Sequence, residues 1–204
     1  MNLEKLYEAE ASFLMRYPQG FADEAMRDIR KKHNVDKLVS FAQENLTKAN
    51  CKRPEFVVDT VVKLVSRSSM VSRFEKPPFR TFTESLDSDG QKAFASAVEK
   101  RLHGAKQRGF EEMLAMLTPH KIAKWAVMSV VPFYHAPRRE AFVKPTTAKG
   151  ILRILEVTDL HYHASPSWAF YKGYQALLTT LKKEVSPALS PNNAAFTGFL
   201  MMQL

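Results

Sequence analysis

The 204-residue chain carries 30 lysines and arginines against 21 aspartates and glutamates, giving a net charge of +9 and a pI near 9.6. With 45% hydrophobic and 25% charged residues it is excluded from the disordered class, and its length suits one sizeable core, read as a single helical domain over 1–204. The single Cys51 excludes an internal disulfide, the longest uncharged run (Trp125 to Pro137) is too short for a membrane helix, and the acidic start MNLEKLYEAE does not resemble a signal peptide, so the expected setting is a reducing cytoplasm with no membrane contact.

Only 7 glycines and little strict apolar/polar alternation argue against sheet. The chain is therefore expected to be all-α or nearly so, a compact bundle of about ten helices with at most a short strand near 141–143. Helices are predicted near 2–16, 22–33, 36–49, 54–75, 78–86, 89–103, 106–117, 119–131, 147–157, 166–185 and 191–203. Three start signals pair a hydroxyl residue with a proline: Thr118-Pro119, Ser165-Pro166 and Ser190-Pro191. Ser88 with Gln91 suggests a capping box, and Gly104 ends that helix. The wide apolar stripe of 54–75 (Val57, Val61, Leu64, Val65, Met70, Val71, Phe74) marks it as central. Prolines 132, 137 and 145 interrupt the stretch from Phe133 to Pro145, and 159–164 also reads as loop.

Charge is uneven along the chain. Residues 119–155 hold Lys121, Lys124, Arg138, Arg139, Lys144, Lys149 and Arg153 against Glu140 alone, with Trp125, Phe133, Tyr134 and His135 interleaved. A second basic group (Lys63, Arg67, Arg73, Lys76, Arg80) is expected to join it if the two share a face. Such a surface attracts polyanions, and exposed aromatics stack on bases. The alternative is a solvated basic surface with the aromatics in the core.

In Lys144-Pro-Thr-Thr-Ala-Lys-Gly150, Thr146 or Thr147 is expected to cap the following helix, where free N–H groups beside Lys144 and Lys149 suit a phosphate or carboxylate. The stretch lacks the Gly-rich loop of a nucleotide-triphosphate site. In Asp159-Leu-His161-Tyr-His163 the polar side chains alternate, but two imidazoles and a carboxylate do not make a closed metal site, and neither a metal nor another cofactor is expected. Cys51 is expected in an exposed turn, and neither the serines of Arg67-Ser-Ser-Met70 nor the adjacent Glu111 and Glu112 form catalytic spacing.

Two function classes follow. The first is a binding protein for nucleic acid or another phosphate-rich partner, with Arg138, Arg139, Lys144, Thr146, Thr147, Lys149 and Arg153 as anion-binding residues. The second is an enzyme acting on a small anionic substrate held near Thr146 and Thr147, with His135, His161 or His163 for proton transfer. A helical adaptor for another protein is a third reading. The apolar C-terminal helix 191–203 either packs into its own domain or pairs two copies as a homodimer.

Overall fold

The computed structural model describes residues 1–203, and among these it contains eleven α-helices and no strand. They are α1 (Leu3–Arg16), α2 (Arg27–His33), α3 (Val35–Asn45), α4 (Pro54–Arg67), α5 (Lys76–Glu84), α6 (Ser88–His103), α7 (Lys106–Leu117), α8 (Trp125–His135), α9 (Pro145–Ile154), α10 (Trp168–Leu181) and α11 (Asn193–Gln203). Among the described residues no helix is long and apolar enough to cross a membrane.

Helix α8 is the axis of the fold. Every residue from Trp125 to Tyr134 is buried, which requires neighbours on all sides, and α3, α4, α6 and α7 supply them. Pro132 lies inside this helix and removes one backbone hydrogen bond, but it does not end it as expected, because burial on every side holds the last turn in place to His135. The helix also begins later than the expected 119. Thr118 still belongs to the end of α7, its hydroxyl donating to the Leu114 carbonyl, and the chain turns through Lys121 at φ 60° before α8 starts.

The other start signals were offset by one or two residues. Ser167, not Ser165, caps α10 by accepting from the Phe170 N–H, and Asn192 accepts from the Ala195 N–H ahead of α11. Asp87 rather than Ser88 caps α6 through the Gly90 N–H. In each case the proline or serine marks the approach turn, while the cap is the residue whose oxygen reaches the N–H three positions on. The predicted helix 54–75 stops at Arg67, because Ser68 turns extended and its hydroxyl accepts from the Met70 N–H while meeting the Tyr134 hydroxyl at 2.9 Å.

The C-terminal helix packs into its own domain against α1 and α9, burying Phe196, Phe199 and Leu200. Cys51, expected in an exposed turn, is instead buried in a short 3-10 turn against α4 and α6, and burial pushes its thiol up to about 11.

Helices α6 and α7 form the closest pair, and Gly109 sets their approach. A Cβ at 109 would overlap the Arg101 backbone nitrogen and lie 2.7 Å from the Ala97 carbonyl oxygen. Both neighbours are backbone and cannot yield without parting the helices. Gly109→Ala is therefore expected to destabilise the protein by about 1–3 kcal/mol in urea denaturation, whereas Gly150→Ala, with open space at its Cβ, should be neutral or stabilising.

Candidate nucleic-acid interface

The basic stretch is organised around its one acid. Glu140 is buried, its side chain 4% exposed, between the end of α6, the start of α7 and the face of α10. One carboxylate oxygen accepts from Arg101 Nη2 (2.7 Å), the Tyr171 hydroxyl (2.8 Å) and Gln175 Nε2 (3.1 Å), and the other accepts from Lys106 Nζ (2.7 Å). Tyr171 and Gln175 stand four residues apart on α10, so both reach the same point. The Arg101 side chain, 1% exposed, lies against the stacked rings of Tyr171 and Trp168, with its guanidinium carbon 4.9 and 5.5 Å from their centroids. Its Nε and Nη1 find no oxygen acceptor among the described residues. Burial alone would raise the Glu140 carboxyl, but the hydrogen bond and charge of Arg101, with Lys106 and Tyr171, outweigh it and hold the group at about 2.

Glu140 fixes the segment from Ala136 to Lys144 as a strap that runs back along α8. The Val143 N–H donates to the Ser129 hydroxyl, and the Ala141 N–H donates to Tyr171. Side chains also take up the strap's carbonyls: Gln175 donates to Arg139, Lys182 to Arg138 and Asn193 to Glu140, while the Asn193 backbone N–H donates to Pro137. Ala141, Phe142 and Val143 are extended and buried, as a short strand would be, but no other strand lies beside them and their backbone bonds go to side chains.

Arg138 and Arg139 are exposed on this strap, and Lys144 is exposed at its far end. Five residues span at most about 18 Å, which bounds the separation of Arg139 and Lys144. Lys144 comes close enough to His33 to help hold that imidazole below its ordinary value, after burial and alongside Lys32. His33 in turn bonds the Ser69 hydroxyl at 2.9 Å. His33 thus links the last turn of α2, with Arg30, Lys31 and Lys32, to the loop that follows α4, which carries part of the second basic group, and it feels the charge of Lys144. The α2 contribution was missed in the sequence, although three cations preceding His33 were there to be read.

On α9, Thr146, Lys149 and Arg153 share the exposed stripe, and Lys149 also lies 5.7 Å from the Tyr162 ring centroid. Thr147 does not join them. It is buried and its hydroxyl lies 3.3 Å from Met201 Sδ, and neither threonine caps α9: Lys144 is the cap residue and Pro145 opens the helix. A proline fits the first helical position because it has no N–H to leave unpaired, which moves the start two residues ahead of the expected 147.

The interleaved aromatics are core. Trp125, Phe133 and Tyr134 are all buried, with the Trp125 indole N–H donating to the His163 carbonyl. Of the two readings the one with these aromatics in the core holds, and they are not free to stack on bases. His161 and His163 are exposed, while the His135 ring packs edge-on against His103 with centroids 4.9 Å apart. Among the described residues no three histidine, cysteine, aspartate or glutamate side chains gather as a metal site. None of the seven cations of 119–155 takes part in an ion pair among these residues, since Glu140 is turned inward. No protein-family model, curated protein or solved structure matches the chain.

Glu140→Gln would leave Arg101 buried without its counter-ion and is expected to cost about 3–5 kcal/mol at pH 7, measured by urea denaturation. The acid side has a definite sign. With a folded value near 2 against an ordinary 4.5, Glu140 contributes its full stability above about pH 4.5 and loses it as pH falls toward 2. Burial and His103 hold His135 below 6.5, so its contribution is already being lost as pH falls through that value. The glutamine variant should retain the His135 loss and lack the steeper one below 4.5.

Proposed function

We propose that the protein binds nucleic acid, with little sequence preference, through the surface formed by the strap, the exposed stripe of α9 and the basic end of α2. The observation that carries this reading is the set of seven exposed cations between Lys121 and Arg153 that have no ion-pair partner, two of them, Arg138 and Arg139, on a backbone fixed by buried hydrogen bonds. Phosphates contacted by lysine and arginine supply affinity without reading sequence, and a pre-ordered backbone reduces the conformational entropy lost on binding.

Cavity placement favours this reading over a small-substrate enzyme at α9. Two open hollows, of about 280 and 480 Å³, lie between α4, α5 and α6, and no residue of 119–155 lines either. Their walls alternate Glu55, Asp59 and Glu84 with Arg53, Arg80 and Lys92, a balance that selects for neither charge.

The test is the salt dependence of binding to duplexes of unrelated sequence. Affinity should fall steeply with salt, because each neutralised phosphate releases condensed counter-ions. Changing Arg138, Arg139 and Lys149 together to Ala should weaken all duplexes alike and flatten the log–log slope by up to about three units, about 0.9 for each lost phosphate contact. Unchanged binding by the triple variant, or no binding by the unaltered protein at about 50 mM salt, would overturn the proposal and put the enzyme and adaptor readings ahead.

A further inference from the structure

The loop from Ser68 to Glu75, between α4 and α5, presents Phe74 to solvent with 73% of its surface exposed. The loop is held by its own bonds. Phe74 N–H donates to the Ser72 hydroxyl at 3.2 Å, Ser72 N–H donates to the Glu75 carboxylate at 3.1 Å, and Val71 is buried as an anchor. The Arg73 guanidinium carbon stands 4.8 Å from the Phe74 ring centroid, and Arg67 and Arg80 are exposed nearby in the chain. None of Arg67, Arg73, Lys76 and Arg80 is in an ion pair among the described residues, and the same loop is bonded to the basic end of α2 through Ser69 and His33.

We infer that Phe74 is a stacking platform for a base of single-stranded nucleic acid, with Arg67, Arg73 and Lys76 serving the adjoining phosphates. This rests on the nucleic-acid reading above and adds strand selectivity to it. A lone exposed ring offers a π-face that any unpaired base can cover, and stacking of this kind tolerates every sequence. In a duplex those faces are already occupied by neighbouring base pairs. The Arg73 guanidinium against the ring, with Lys76 two residues on in the chain and neither in an ion pair among the described residues, favours a polyanion over an apolar protein patch. One phenylalanine between Arg73 and Glu75 also falls short of the broad apolar face with which peripheral helices enter a bilayer.

The experiment compares the full-length protein with its Phe74→Ala and Phe74→Trp variants on a 20-nucleotide oligo-dT, on a duplex of the same length, and on vesicles of phosphatidylcholine with phosphatidylserine, at about 50 mM salt. Phe74→Ala should weaken oligo-dT binding by about five- to one-hundred-fold and leave the duplex within about twofold, while Phe74→Trp should keep the affinity and lose indole fluorescence on binding. Oligo-dT affinity unchanged in Phe74→Ala, with the unaltered protein still binding both nucleic acids, would overturn the stacking role and leave the basic-surface reading standing. Failure of the unaltered protein to bind either would overturn both. Loss of vesicle binding in Phe74→Ala without change on oligo-dT would replace stacking by a membrane contact.

Discussion

Taking the Glu140 carboxylate out of water costs several kcal/mol unless charge and hydrogen bonds replace the hydration it loses. Here the replacement comes from three directions at once: Arg101 near the end of α6, Lys106 at the start of α7, and Tyr171 with Gln175 on α10. These elements are separated in sequence by more than thirty residues on either side of Glu140, so the carboxylate fixes their relative positions as well as its own. It also draws the strap through the interior, where backbone groups cannot rely on solvent. Asn193, Lys182 and Gln175 follow from that constraint, each donating to a strap carbonyl.

Helix α8 carries the same constraint to the other basic segments. Its Tyr134 hydroxyl meets Ser68 at the point where α4 ends, and burial pushes that phenol up to about 12 against the opposing effect of the Ser68 bond. Its Ser129 hydroxyl accepts from Val143 on the strap, and its Trp125 indole holds the loop at His163. The loop bearing Phe74, the strap bearing Arg138 and Arg139, and the segment before α10 are thus all tied to one buried helix. A surface assembled from distant parts of the sequence is held in place by hydrogen bonds to a common core.

The helical class was legible because 3.6-residue periodicity and scarce glycine report directly on local geometry. Helix starts were legible to within a few residues, since Ser165-Pro166 and Ser190-Pro191 mark turns but do not determine which side chain reaches the first free N–H. What the sequence hid were the consequences of burial. Pro132 looks like a breaker until the neighbours of α8 are known, and Trp125, Phe133 and Tyr134 look like base-stacking candidates until all three prove to be core. Glu140 looked like a lone acid diluting a basic run. Its partners Arg101 and Tyr171 lie 39 and 31 residues away, beyond any local pattern.

That inward turn of Glu140 alters the electrostatics of the surface. The remaining ion pairs, such as Lys5 with Glu156, Lys52 with Glu99 and Lys100 with Glu112, use no cation from 63–80 or 119–155. The acids that do form ion pairs neutralise other basic residues, and near His33 the cations Lys32 and Lys144 are left as like charges. Such an arrangement destabilises the folded chain through self-repulsion, most strongly at low ionic strength. A bound polyanion relieves that repulsion while releasing its own counter-ions, so the unpaired surface and the proposed ligand are linked by the same electrostatic free energy. The buried Glu140 bridge contributes the complementary term by holding the backbone of Arg138 and Arg139 in place through the strap's buried hydrogen bonds.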